Sequence, residues 1–585
     1  MIVLILVAVT LAIYIPNIPD TFVDWDLVSY KRVLETKDYF HTSINLFKDF
    51  KGEIVPGYYA PLSSVSLMLD KVFTSAPSAW LTIFINLLLH CLVGILVFGL
   101  ARTIGANLET AALSAAIFMI HPVQVSSILW FAQRKGVMAA ALYLIAYIAY
   151  LKHLKSGRWT YYLGSLLVFA AAIFAKPTAV VLPIALVFTQ LLLPYRSNAS
   201  IQDSFGNQLL RVAPFFMISL MFGLITMESE GLSSGDNMPD LPFVERPFVA
   251  ATALWFYLGK AVFPFSISPL YPPWNVDTSS LLWWLSLSLF IAAGVFLFCF
   301  RKRIGGPIIW SLVNFIIPFL PVCGLLKFGY LRLSNVADHF MYLSMVGFAH
   351  LAAMCVDSLS KRLKPPAVHL LTAGVCTYLL LLMIQTSLVS QIWKDSVTLW
   401  TYSIKMNPQS WSAHNFLGHA LIGSGQPEEA IEEFKETIRL KRAFLARQDK
   451  LAKELEQTGS QEKAEAECRK ATPIRTGMHI AHHNVGNAYL LSNMFDQAAE
   501  QFQIALKLRP DYVKSRINLG IASLALERVP DAVKYLSRAV KESPNNFEAH
   551  YNLGLAYRAT GEKTKSESHF QKARALHPDY PLPDH

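Results

Sequence analysis

The chain has 585 residues, several times the size of a typical domain, and is 53% hydrophobic but only 16% charged. A soluble globular chain carries about 25% charged residues, so a wholly soluble protein is excluded. The 12% of aromatic residues and a mean hydropathy of +0.37 exclude a disordered one. A net charge of +10 would suit nucleic acid or an anionic membrane surface, and only its distribution along the chain can decide.

Residues 1–390 hold 25 Lys/Arg and 18 Asp/Glu, whereas residues 391–585, half as many, hold 26 and 23. The first part therefore reads as membrane-embedded and the second as an ordinary soluble region. Six cysteines show neither metal-ligand spacing nor a disulfide framework.

Taken in chain order, apolar runs long enough for a bilayer core of about 30 Å fall near 1–18, 80–101, 110–130, 137–151, 159–175, 178–194, 212–226, 280–300, 307–326, 340–356 and 367–389. The first lacks a basic leader and a small-residue cleavage site, so it reads as an uncleaved helix. A further apolar segment, 248–263, reads as non-crossing, which gives about 11 crossings. With the N-terminus cytoplasmic, the inner loops then carry Arg102, Lys152, Lys155, Arg158, Arg196, Arg211, Arg301–Arg303, Lys361, Arg362 and Lys364. Only Glu109, Asp203 and Asp357 oppose them. This is the positive-inside pattern, and it accounts for nearly all of the +10 without nucleic acid. It puts the C-terminal part on the periplasmic or lumenal side, with the long first outer loop, 19–79. That loop holds eight acids, among them Asp24, Asp26 and Asp70. Within it Leu27–Lys37 and Leu62–Phe73 have the apolar spacing of short interfacial helices.

After a connecting helix at 391–410, the sequence repeats with a period of 34. Gly418, Gly486, Gly520 and Gly554 share one column, Ala430, Ala464, Ala498 and Ala532 another, and Pro510, Pro544 and Pro578 close successive units. Small residues where paired helices cross, with Pro after the second helix, are the tetratricopeptide pattern. Five units follow, at 411–444, 445–478, 479–512, 513–546 and 547–580, the second degenerate with Ala452 in the glycine column. The fold is thus all-α, a polytopic transmembrane bundle followed by a solenoid. Such a solenoid is a binding surface without chemistry of its own. Asn415, Asn484, Asn518 and Asn552 recur near one position of the first helix, where they either bridge neighbouring helices or hydrogen-bond an extended acceptor peptide in the groove.

Polar groups in the membrane part are costly and so point to function. Asp24 and Asp26 stand where the chain leaves the first helix. Carboxylates at that boundary suit a general base towards a hydroxyl, Asp26 first and Asp24 second, or a divalent metal, for which no ligand spacing speaks. His121-Pro122 breaks an apolar helix ahead of Arg134 and Lys135, and Lys176-Pro177 lies between two helices. Arg332 and His339 flank an outer loop running into a helix, with Asp338 able to orient either. Cations and His at the outer face suit a phosphate group, Arg with forked donors. Asn86 and His90, one turn apart, read as interhelical hydrogen-bond partners. No phosphate-binding Gly loop, zinc signature or nucleophile elbow occurs.

In this order, Phe22–Asp26, Tyr59-Ala60-Pro61-Leu62, Leu69-Asp70, Asn86 to His90, His121-Pro122-Val123, Trp130, Arg134-Lys135, Lys176-Pro177, Tyr271-Pro272 and Ala337-Asp338-His339, followed by the repeats, resemble the transmembrane and tetratricopeptide-repeat-containing O-mannosyltransferases and their bacterial relatives. The resemblance implies a GT-C-type glycosyltransferase of an inner membrane. An acid of the first outer loop would deprotonate a Ser or Thr hydroxyl, which attacks a sugar carried on polyprenyl phosphate, while outer-face cations hold the departing phosphate. The repeats would recruit the protein acceptor. Leu27, Ser126 and Gly136 stand where the family carries acids, and His339 where it carries Arg. Those losses favour a competing reading, a non-catalytic membrane scaffold for pilus, secretion or envelope assembly; a third reading is a glycosyltransferase acting on lipid or polysaccharide, which predicts altered glycolipid.

Overall fold

The computed structural model describes residues 1–23, 25–36, 38–49, 54–55, 59–74, 77–193, 205–234, 242–274, 276–277, 280–326 and 329–578. Among them there is no strand. The chain divides into two compact units, Met1–Met406 and Asn407–His585.

In the first unit every one of the eleven expected apolar runs is helical. Five are long and apolar enough to cross a membrane: Ala79–Thr103, Phe131–Ser156, Phe205–Thr226, Leu281–Ile304 and Pro365–Ile392. A sixth, Leu108–Ile120 with Pro122–Leu129, is bent by 52° at the His121-Pro122 break. Pro122 has no N–H to continue the helical ladder, so the break sits where the sequence puts it. Five shorter apolar helices, Ile2–Asn17, Trp159–Ala175, Pro177–Leu192, Gly306–Phe319 and Met345–Ser360, complete the set. At 1.5 Å per residue the 17-residue Trp159–Ala175 reaches about 25 Å, a little short of the bilayer core.

Lipid exposure is written in the burial. Leu281–Ile304 has a mean hydropathy of 2.2 over its apolar window, yet none of that window is buried. A helix that apolar and that exposed is stable only where lipid covers it. Within the bundle, glycine allows one pair of helices to touch. At Gly347 an added Cβ would come within 2.3 Å of the Phe315 backbone N and 2.4 Å of Ser311 O. Met345–Ser360 thereby lies directly on the backbone of Gly306–Ile316, the close helix approach that small residues permit in membranes. Arg246–Val262 buries one face, including Phe248, Val249, Tyr257 and Ala261.

The first outer loop forms three short helices, Leu27–Glu35, Tyr39–Lys48 and Pro61–Leu69. The first and third are the expected ones. The second is unforeseen, and it begins where Asp38 accepts a hydrogen bond from the His41 backbone N–H at 3.0 Å, an N-cap.

In the second unit, helix pairs repeat as expected, and each glycine of the 34-residue column seats a ring or branched side chain. A Cβ on Gly486 would fall 2.7 Å from Phe502, with Gly418 on Phe434, Gly520 on Leu536 and Gly554 on Phe570 in the same relation. The second expected unit differs. One continuous helix, Pro427–Gln457, runs through the boundary expected at 444/445, and Gln461–Thr476 folds back along it. Met478–Leu491 then packs on Pro427–Gln457 as the first helix of a next unit would, and Asn484 Nδ2 donates to Asn415 Oδ1 at 2.9 Å. Four units therefore stack, and residues 442–476 leave the stack as a helical hairpin. The cause lies in the proline column: Arg442 stands where Pro510, Pro544 and Pro578 end the other second helices, so nothing stops this one.

Candidate functional site

The outer end of the bundle is organised around the turn Trp130–Gln133, which feeds the helix Arg134–Ser156. Arg134 is fully buried, and each of its five N–H donors is taken. Nε donates to Asn86 Oδ1. Nη1 donates to Ser66 Oγ at 2.8 Å and Asp70 Oδ1 at 3.2 Å. Nη2 donates to Asp70 Oδ2 at 2.9 Å and the Thr82 carbonyl at 2.8 Å. A guanidinium offers no sixth donor. Arg134 is thus not a phosphate ligand, as the sequence suggests, but a clamp joining the first outer loop to two membrane helices. Asp70 is the partner that sequence reasoning missed.

His121 is corrected in the same way. Its Nε2 meets the Ala261 carbonyl at 3.0 Å and its Nδ1 accepts from the Val123 backbone N–H at 3.4 Å. With no exposed surface, it secures the helix break and has no nitrogen left for a phosphate. Asn86 and His90 bridge helices as expected: Asn86 Nδ2 donates to the Ile128 carbonyl at 3.2 Å, and His90 bonds the Tyr342 hydroxyl at 2.8 Å and the Met119 carbonyl at 3.0 Å.

Four other predicted residues are brought together. Asp26 caps Leu27–Glu35 in the left-handed backbone region, φ 67°. Its neighbour Trp25 stacks on Trp130 with ring centres 4.4 Å apart, and Trp130 Nε1 donates to the Trp25 carbonyl at 3.1 Å. These contacts tie the acidic loop to the turn before Lys135. Asp26 Oδ2 is buried without a hydrogen-bond partner. Burial raises its carboxyl above the usual carboxylate range, and the nearby Lys135 ammonium pulls it back down. Lys176 follows the helix Trp159–Ala175; burial and the like charge of Lys135 lower its amine to about 7. His339 is held well below its ordinary value by burial, Lys176 and Lys135, so it is a neutral imidazole. Asp24 and the Arg332 side chain lie outside the described residues.

His339 separates two small cavities. One is walled by Trp25, Ser126, Trp130, Asp338, His339 and Trp393, among others. The other is walled by Gly136, Lys176, Thr178, His339 and Tyr342 with apolar neighbours. Asp338 accepts from the Tyr271 hydroxyl at 3.0 and 3.1 Å, which joins two of the sequence motifs across 67 residues. Its carboxyl is pushed up to about 7 by burial, against the pull of Lys260 and Tyr271. Among the described residues no three His, Cys, Asp or Glu side chains come close enough to share a metal ion.

In the repeats, two of the recurring asparagines, Asn484 and Asn415, bond to one another. Besides Asn484 to Asn415, Asn518 Nδ2 donates to Asn487 Oδ1 at 3.0 Å. Asn552 Nδ2 turns back to the Glu548 carbonyl of its own helix at 2.8 Å. Bridging between first helices is thus the role the geometry displays for three of the four.

Models of the tetratricopeptide repeat match residues 412–444, 486–547 and 518–581, leaving out the hairpin. Human protein O-mannosyl-transferase TMTC3 is 21% identical over 497 residues, 78% of this chain and 49% of that one. Human TMTC1 is 21% identical over 426 residues, 65% and 48%, and Drosophila melanogaster Tmtc3 22% over 270 residues, 43% and 28%. The chain spans at most about half the length of these relatives. Solved structures similar to the repeats include MamA, 18% identical over 31% of this chain and 87% of that one with a TM-score of 0.24. Another is YrrB, a repeat protein with an unusual peptide-binding site, 17% identical over 31% and 93% with a TM-score of 0.18. The chain is related to the protein O-mannosyl-transferases that combine membrane helices with tetratricopeptide repeats, as its motifs imply.

Proposed function

We propose that this integral membrane protein is a glycosyltransferase that moves a sugar from a polyprenyl-phosphate donor to a Ser or Thr hydroxyl of a protein acceptor, recruited by the repeats. The observation that carries the reading is Asp26, whose carboxylate has one buried oxygen without a partner and feels the Lys135 ammonium, which in turn acts on Lys176 and His339. A carboxylate partly desolvated by burial is a better base than one in water, and the open oxygen is where an incoming hydroxyl would bind. The hydroxyl oxygen attacks the anomeric carbon, its proton passes to Asp26, and the bond from that carbon to the phosphate oxygen breaks with its electrons on the phosphate. Lys135 and Lys176 stabilise that developing charge. The positive-inside pattern supports a cytoplasmic N-terminus and a periplasmic or lumenal site in a bacterial inner membrane.

Asp26→Asn tests the reading. The variant is expected to remain in the membrane with unchanged stability, while acceptor proteins of its host lose the mass of the sugar in intact-mass spectra. Unchanged glycosylated masses would remove Asp26 from the chemistry and favour the scaffold reading, for which the serine and glycine at 126 and 136 in place of acids speak. Unchanged proteins with altered glycolipid would favour a lipid acceptor.

A further inference from the structure

The two cavities that share His339 differ in chemistry. On the Gly136 side the Lys176 amine is the charged group in the wall, and Gly136 lies beside it, a Cβ there standing 3.6 Å from Nζ, in ordinary contact. On the Trp130 side no lysine or arginine contributes; the wall combines three indoles, two serine hydroxyls, the His339 imidazole and the Asp338 carboxyl with aliphatic side chains such as Ile267 and Val389. Trp130 and Trp393 lie nearly parallel, 26° apart with centres 6.4 Å apart. Ser126 Oγ is buried there and makes no hydrogen bond within the protein. Nor do Ser127 Oγ, Gln133 Oε1 or either amide atom of Gln124, all on the same buried segment.

Buried polar atoms without partners are costly, and irregular backbone at membrane depth is tolerated where it lines a polar site. Aromatic faces combined with uncharged hydrogen-bonding groups match a polyhydroxylated ring; a lone amine matches an anion. We infer that the Ser126–Trp130–Trp393 cavity is the subsite for the hexose ring of the donor, and the Lys176 cavity the subsite for its phosphate. The inference rests on the transfer proposed above. It sets the anomeric carbon beside His339, and Trp25, next to Asp26, walls the sugar side.

As it stands the sugar-side cavity is about 10 Å³ and the phosphate-side one about 30 Å³, space for about a water apiece. A hexose can therefore enter only by displacing the walls, and since Trp25, Trp130 and Trp393 line them, its binding is expected to change indole fluorescence. The test uses the full chain in nanodiscs, titrated with a ten-carbon isoprenyl phosphate and with the same lipid carrying a hexose.

The hexose lipid is expected to bind more tightly than the bare lipid and alone to shift the indole emission. Ser126→Ala removes an unpartnered hydroxyl, so it is expected to keep or raise the thermal midpoint. It should weaken the hexose lipid about 3- to 10-fold, the worth of one hydrogen bond, and leave the bare lipid unchanged. Trp393→Leu is expected to weaken the hexose lipid by about tenfold or more. Equal affinity of the unaltered chain for both lipids, or a hexose preference that survives both substitutions, overturns the subsite. Sugar-blind binding by a chain that still glycosylates acceptors would overturn the subsite alone. Sugar-specific binding by a chain that leaves acceptors unglycosylated would overturn the transfer reading and keep the subsite.

Discussion

Replacing Asp70 by Ala leaves the Arg134 guanidinium with three of its five hydrogen bonds and no counter-ion in a site without solvent. Removing one partner of a buried pair costs about 3–5 kcal/mol, chiefly because the remaining charge is uncompensated. Asp70→Ala is therefore expected to lose about 3–5 kcal/mol of stability, read as a shift in an equilibrium unfolding titration in mixed micelles. The double variant Asp70→Leu, Arg134→Met removes both charges and fills the space with apolar groups. It is expected to lie within about 2 kcal/mol of the unaltered chain, because replacing a buried pair by hydrophobic residues is often neutral. The single variants Asp70→Leu and Arg134→Met should each lose far more than this double, and that coupling is the signature of a direct pair. Asp70→Ala losing less than about 1 kcal/mol, or a double variant losing the sum of the singles, would refute the clamp. A folded Arg134→Lys variant tests the other half of the argument. If its affinity for isoprenyl phosphate falls tenfold, Arg134 is a phosphate ligand after all.

Lys176 gives a pH signature. Its amine sits near 7 in the folded chain against an ordinary value of about 10.4, so an anion that needs it charged should bind with proton uptake above pH 7. Affinity for an isoprenyl phosphodiester, whose single charge does not titrate, should fall as pH rises from 7 to 9, and Lys176→Arg should flatten the profile. By the same linkage, the burial penalty of this amine is complete below pH 7 and is relieved between about 7 and 10, so stability should rise over that interval. In the repeats, Gly486→Ala must push against the Phe502 ring and should cost about 1–3 kcal/mol, measured by thermal unfolding. Deleting residues 442–475 joins Lys441 to Thr476 and Gly477 and removes only the hairpin. The thermal midpoint should be retained, whereas loss of the fold would show that the hairpin is part of the stack.

What the sequence displays is what local chemistry decides. Each apolar run became a helix because hydropathy is a property of the run itself, and both breaks fell at Pro122 and Pro177, where the ladder lacks an N–H. The columns of the repeats likewise report contacts between residues about 16 apart, such as Gly486 with Phe502. The misreadings of the site concern partners far along the chain. Arg134 and Lys135 look alike in sequence, yet on a helix they point about 100° apart. Which of them is neutralised depends on Asp70, 64 residues away. His121 was spent on the Ala261 carbonyl 140 residues on. The hairpin was signalled by Arg442 in the proline column and Ala452 in the glycine column, but Ala464 and Ala471 keep their columns because small residues also suit the crossing of a simple hairpin.

With Arg134 removed from the candidate ligands, the remaining charges near the outer face match the proposed reaction. Among the described residues, Lys135 acts there on both Asp26 and Lys176, while His339 stays neutral. With Asp26 ionised and both lysines charged, these three groups carry one net positive charge, and a phosphodiester-linked sugar brings one negative charge, so the four together are neutral. Transfer moves the acceptor proton to Asp26 and leaves the phosphate with two negative charges against the two lysines, so the product state is neutral too. A site with Arg134 also free would have held one positive charge throughout, favouring the dianionic product and slowing its release. Pairing Arg134 with Asp70 thus does more than fasten the loop: it withdraws one positive charge from a place where an unmatched charge is expensive.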